Sequence, residues 1–123
     1  MTTAAIRHTV LIVEDEQDLR EMMSEALQMR GYSVVTAEEG EDALRKLEGI
    51  GRPCLILMDL LMPGMNGWDL FAKLRERPEL SAVPVIVHSS AADRAPSGVT
   101  RVLRKPLSFD GLISIVREYC AAN

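Results

Sequence analysis

Pro53-Cys54-Leu55-Ile56-Leu57-Met58-Asp59 is an apolar run with no charged side chain until its last position, and Leu60-Leu61-Met62-Pro63-Gly64-Met65-Asn66-Gly67 follows it. A short run of this kind, closed by Pro-Gly and Asn-Gly turn signals, reads as a strand buried on both faces. Working outward, Thr9-Val10-Leu11-Ile12-Val13 is a second such run and ends in Glu14, Asp15 and Glu16. Leu19, Met22, Met23, Ala26 and Leu27 then recur at helical spacing, with Gly31 placed to close that helix.

Tyr32 to Ala37 reads as a strand, and Ala43, Leu44 and Leu47 mark a helix. Leu70, Phe71 and Leu74 mark another, Pro84 to Val87 a fourth strand and Arg101 to Leu103 a weaker fifth. Leu112, Ile113, Val116 and Cys120 form the apolar side of a last helix, with Ser108 as its N-cap and Asp110 in its first turn. Apolar strands alternating with helices predict an α/β fold: a doubly wound, five-stranded parallel sheet covered on both faces. The fourth crossover breaks the rhythm. Only Ala91 to Thr100 separate the last two strands, and Pro96 lies among them. Ten extended residues reach roughly 33 Å, enough to return along a short strand without a helix. A loop or a single helical turn is expected there.

The chain has 123 residues, is 47% hydrophobic and 26% charged, and carries a net charge of −4. These values predict one globular domain and argue against a general electrostatic hold on nucleic acid. No apolar run reaches membrane-spanning length, and Met1 to Val10 lacks a signal-peptide pattern, so a cytoplasmic location and no membrane partner are expected. Cys54 and Cys120 fit no metal or redox spacing and are expected as free, buried or half-buried thiols rather than a disulfide.

Polar residues gather where the strands end: Glu14 and Asp15, then Asp59, Ser89 and Lys105. In a parallel sheet these ends share the ligand-binding edge. Two carboxylates about 4 Å apart repel by ~4 kcal/mol at an effective dielectric of 20, so three need a cation or protons. Hard oxygen donors favour Mg²⁺, with Mn²⁺ as the alternative. Lys105 offers a point charge to an anion, and Ser89 a hydroxyl. The set suggests phosphoryl transfer to Asp59 as nucleophile.

Four strings in this order resemble response-regulator receiver domains: Val10 to Glu16, Leu55 to Gly67, Pro84 to Ala91, and Arg104-Lys105-Pro106-Leu107. The resemblance runs from about Thr9 to Ala121, with residues 1–8 as a tail and 9–121 as the receiver domain, and suggests the stand-alone form. It implies strand order 2-1-3-4-5 and phosphorylation of Asp59 by a sensor histidine kinase. Mg²⁺ ligation by Asp15, Asp59 and the Leu61 backbone carbonyl is implied, with Glu14 acting through water and no organic cofactor. It further implies Lys105 pairing with the phosphoryl group, Ser89 as the hydroxyl switch, and a cis bond before Pro106. Output would pass to a downstream protein or a phosphotransfer partner. The chain would catalyse only its own phosphorylation and dephosphorylation.

Several positions depart from the pattern: Glu14 where a second aspartate is commonest, Ser89 for threonine, Val102 for an aromatic residue, and the reduced fourth helix. The last two favour an alternative, a phosphorylation-independent interaction module. A hydrolase of the haloacid-dehalogenase type fits less well, because Leu61 stands where that class has a second aspartate. A Rossmann nucleotide site lacks its Gly-rich turn. His88 is expected as a core or helix–sheet histidine. Met22, Met23 and Met29 are expected in helix packing, although some of Met22, Met23 and Leu107 would be exposed if a kinase docks over them. Trp68 is expected on the third helix near the site, and Arg94, Arg101 and Arg104 as a solvated rim.

Overall fold

The computed structural model describes residues 9–121; residues 1–8, expected as a tail, and 122–123 lie outside the described residues. The chain runs β1 (Thr9–Val13), α1 (Gln17–Gln28), β2 (Ser33–Ala37), α2 (Gly40–Ile50), β3 (Leu55–Met58) and α3 (Gly67–Arg75). It continues through β4 (Val85–Ser89), β5 (Arg101–Arg104) and α4 (Phe109–Tyr119). All pairings are parallel and the strand order is β2-β1-β3-β4-β5, as expected for a receiver domain. Order reverses at β1, and β1 lies against β3 with Val13 opposite Met58. The acidic turn after β1 and the residue after β3 therefore meet at one edge of the sheet.

Alternate strand residues serve opposite faces. Leu11, Val13, Ile56, Met58, Val85 and Val87 pack with Ala43 and Leu47 of α2 and Leu70, Phe71 and Leu74 of α3. Val10, Ile12, Leu55, Leu57 and Ile86 pack with Met23 and Leu27 of α1 and Leu112, Ile113 and Val116 of α4. Local signals place the helix ends. Gly31 adopts φ 90°, a left-handed conformation cheap only for glycine, just beyond α1. Ser108 Oγ accepts a hydrogen bond from the Gly111 amide at the start of α4 (3.1 Å), and Asn66 Oδ1 one from the Asp69 amide at the start of α3 (2.9 Å).

The fourth crossover holds only a 3-10 turn at Ala92–Arg94, in line with the short, Pro-containing connection. Trp68 Nε1 donates to the Arg94 carbonyl (2.8 Å), and Arg75 Nη2 donates to the Gly98 carbonyl (2.6 Å), so α3 holds this loop at two points. Val102 is left half-exposed. The bond between Lys105 and Pro106 is cis.

Three expectations need correction. Cys54 and Cys120 form a disulfide, not two thiols. Their spacing along the chain hides that the residue before β3 and the C-cap of α4 share one face, which brings their Cα atoms to 5.6 Å. Met22 and Met29 are exposed and do not pack; of the three methionines only Met23 points into the core. β4 continues through His88 and Ser89, two residues beyond the expected end, because both side chains are buried although polar. Arg94, Arg101 and Arg104 are a rim as expected: Arg94 lies over Trp68, and the other two face Glu118 and Asp93.

Candidate functional site

Glu14 and Asp59 follow β1 and β3 directly, in register, and their side chains project on the same face of the sheet. Glu14 is only 2% exposed and Asp59 6%, whereas Asp15 is open to solvent. One carboxylate oxygen from each of Glu14, Asp15 and Asp59 lies within 4.8 Å of the others. Lys105, one residue past β5, reaches between the two buried acids: Nζ is 2.8 Å from Asp59 Oδ2 and 2.9 Å from Glu14 Oε1. The second oxygen of each acid is held by main chain. Asp59 Oδ1 accepts from the amides of Leu60 (2.6 Å) and Leu61 (3.3 Å), and Glu14 Oε2 from the Glu16 amide (3.1 Å).

These contacts divide the two acids electrostatically. Burial works to raise the Asp59 pKa, but the Lys105 ammonium, the Ser89 hydroxyl and the Leu61 amide outweigh it and hold the carboxyl below the usual range. For Glu14 burial prevails, and the hydrogen bonds from Lys105 and Glu16 oppose it without cancelling it. Lys105 itself is raised: burial disfavours its charge, and Asp59 and Glu14 more than restore it. Asp59 is thus kept ionised, as a nucleophile must be, beside a cationic group that can follow an anion.

Ser89 is fully buried at the end of β4, and its Oγ accepts from the Ala91 amide (3.1 Å). The hydroxyl proton is then left to donate toward the Asp59 carboxylate, whose pKa it helps to lower. Leu61 is exposed, two residues beyond Asp59. The return of the chain after Leu61 depends on Gly67, whose amide donates to the Leu60 carbonyl (3.0 Å). A Cβ at position 67 would collide with the Asp59 carbonyl oxygen and lie 2.8 Å from Leu60 Cα. Gly67 was legible as a turn residue, but not as the point where α3 meets the end of β3.

Arg20 was not legible at all. Its Nη1 donates to the carbonyls of Glu14 (2.8 Å) and Asp15 (3.3 Å), from the outer side of the acidic turn. His88 was expected in the core and is there, but both of its ring nitrogens lack a hydrogen-bond partner. Burial, and then the nearby Lys105 charge, lower its pKa.

Comparison with known proteins agrees with this geometry. The response regulator receiver domain family matches residues 10–117, and the chain belongs to that family. An uncharacterized 14.6 kDa protein of Leptolyngbya boryana is 34% identical over 92% of this chain and 90% of its own length. The transcriptional regulatory protein HprR of Escherichia coli is 32% identical over 88% of this chain and 49% of that protein, so the chain spans about half the length of this relative. Among solved structures, a response regulator receiver protein from Pseudomonas putida superposes with a TM-score of 0.82 at 31% identity, covering 92% of this chain and 98% of that one. Receiver domains belong to two-component signalling. Among the described residues no helix is long and apolar enough to cross a membrane.

Proposed function

We propose that residues 9–121 act as a phosphoacceptor domain in which Asp59 takes a phosphoryl group from a phosphohistidine of a sensor histidine kinase. The observation that carries this reading is the cluster of Glu14, Asp15 and Asp59 with Lys105 bonded to two of its members. Three carboxylates that meet at the sheet edge form a hard-oxygen donor set that suits Mg²⁺, with Mn²⁺ as a substitute. Asp15, Asp59 and the Leu61 carbonyl would hold the metal directly and Glu14 through water. Once bound, Mg²⁺ would neutralise charge on the phosphoryl oxygens.

Asp59 supplies a carboxylate oxygen to phosphorus as the phosphorus–nitrogen bond of the donor breaks, and the bonding pair returns to the imidazole. Lys105, already within hydrogen-bond reach of Asp59, exchanges a carboxylate oxygen for a phosphoryl oxygen and so balances the added charge. Ser89 redirects its hydroxyl proton from the carboxylate to the same group. Release of its hold on the Ala91 amide then alters the loop that carries Ala92–Arg94. Water later attacks phosphorus and restores Asp59, so the chain catalyses only its own modification. A cytoplasmic location, with the kinase and a downstream or phosphotransfer protein as partners and no nucleic acid or membrane contact, accords with this reading.

The half-exposed Val102 and the helix-free fourth crossover favour a second reading, an interaction module that works without phosphate. Incubation with acetyl phosphate, with and without Mg²⁺, followed by intact mass spectrometry separates the two. The phosphoacceptor reading expects one added phosphoryl group that needs Mg²⁺ and is absent from Asp59→Asn. No gain in mass under conditions that label another receiver domain supports the second reading.

A further inference from the structure

Resting on the proposed metal site, we infer that Arg20 is a positioning residue that holds the Glu14–Asp15 turn in its metal-binding conformation through the main chain. Apart from Lys105, which engages the Glu14 carboxylate (2.9 Å), the turn has few other ties. The N-cap of α1 is Glu16, whose side chain makes no capping bond, and the Asp15 side chain is open to solvent. The Glu14 amide is fixed to the Ala37 carbonyl (3.0 Å), which anchors the start of the turn to β2. The remaining internal tie, from the Glu16 amide to Glu14 Oε2 (3.1 Å), uses the carboxylate that the metal and its waters would also engage.

Arg20 is independent of those carboxylates. Its Nη1 donates to the Glu14 carbonyl at 2.8 Å and the Asp15 carbonyl at 3.3 Å, so one guanidinium spans the peptide that links the two acids. Among the described residues it forms no ion pair, so its charge is not spent on a carboxylate partner. Its own amide donates to the Glu16 carbonyl (2.9 Å), which ties the clamp to the first turn of α1. Loss of a residue that orients metal ligands typically costs about ten- to a hundredfold in metal affinity.

Positioning and simple charge predict opposite signs. A guanidinium near a divalent site repels the cation, so a residue acting by charge alone would, when neutralised, let Mg²⁺ bind more tightly. A residue that orients the turn would, when removed, make binding weaker.

The test is calorimetric titration of the full chain with MgCl₂, for the wild type, Arg20→Gln, Arg20→Lys and Asp15→Asn. Thermal unfolding in EDTA is recorded beside it. We expect Asp15→Asn to abolish binding and Arg20→Gln to weaken it by about tenfold. Arg20→Lys keeps the charge and a donating nitrogen without the planar fork and should recover part of that loss, and also serves if Arg20→Gln fails to fold. Unchanged or tighter binding by folded Arg20→Gln, or binding by Arg20→Lys tighter than that of the wild type, in a wild type that binds Mg²⁺ and loses it in Asp15→Asn, overturns the inference alone. A wild type that binds no Mg²⁺ overturns the metal site and the inference together.

Discussion

Lys105 and Asp59 come from opposite ends of the fold's second half, yet the ammonium of one lies 2.8 Å from the carboxylate of the other and 2.9 Å from Glu14. The lysine thus occupies the place among the acids where a cation is needed. On the proposed metal site it would compete with the metal for the Asp59 and Glu14 carboxylates. Lys105→Met should therefore destabilise the metal-free chain by about 3 kcal/mol, because it leaves two buried acids without a counter-charge. The same variant should bind Mg²⁺ more tightly than the wild type while accepting phosphate more slowly. Denaturant melts in EDTA, Mg²⁺ titration and labelling rates check the three parts separately.

His88 sits buried with both ring nitrogens unpaired and a lowered pKa. The unfolded chain carries an ordinary histidine that takes up a proton below about 6.5, whereas the folded chain resists it. Its contribution to stability is therefore full above that value and is lost as pH falls toward the depressed folded value. Denaturant melts in EDTA at pH 7.5 and pH 5.5 should show a loss for the wild type that shrinks in His88→Leu. At pH 7.5 the leucine variant should be more stable by about 1 kcal/mol, since no unpaired polar atoms remain.

Gly67 brings the first turn of α3 against the main chain of Asp59 and Leu60. Gly67→Ala should cost about 2 kcal/mol or more, although alanine favours helix, because the neighbours it meets are backbone and cannot swing away. A Gly49→Ala control, where an added Cβ meets nothing within 4 Å, should be neutral or slightly stabilising. Equal effects at the two positions would contradict the close-approach account.

The disulfide closes a loop over a sequence separation of 66 and ties the C-terminus of α4 to the start of β3. Reduction, or Cys120→Ser, should lower stability by about 3 kcal/mol, chiefly by freeing the unfolded chain. The intact mass of the non-reduced protein should be two hydrogens below the reduced value. Melts with and without reductant measure the difference.

Much of the fold was legible because a parallel sheet writes its strands as apolar runs. Val10 to Val13 and Leu55 to Met58 leave little choice, and the short stretch with Pro96 was enough to remove a helix. β4 was drawn to Val87 because His88 and Ser89 are polar, although His88 was expected in the core; the burial of Ser89 is not recorded in any local pattern. Met22 and Met23 are adjacent and equally apolar, and only the final tilt of α1 decides that Met23 is the one inside.

The gathering of Glu14, Asp15, Asp59, Ser89 and Lys105 was legible as five polar positions at strand ends, which the strand order then brought to one edge. Arg20 was hidden for a different reason. It acts on carbonyl groups, and carbonyl positions carry no mark in the side-chain sequence. Cys54 and Cys120 were misread because pairing depends on distance in space, and the end of α4 lies on the same face as the start of β3.

The most direct test of the central claim is to locate the phosphoryl group. The chain is labelled with acetyl phosphate and Mg²⁺, reduced with borohydride to convert an acyl phosphate to an alcohol, and digested for peptide mass spectrometry. The account predicts homoserine at position 59, dependent on Mg²⁺ and found at no other aspartate. Homoserine at Asp15 or another acid, or equal labelling of Asp59 in EDTA, would contradict it.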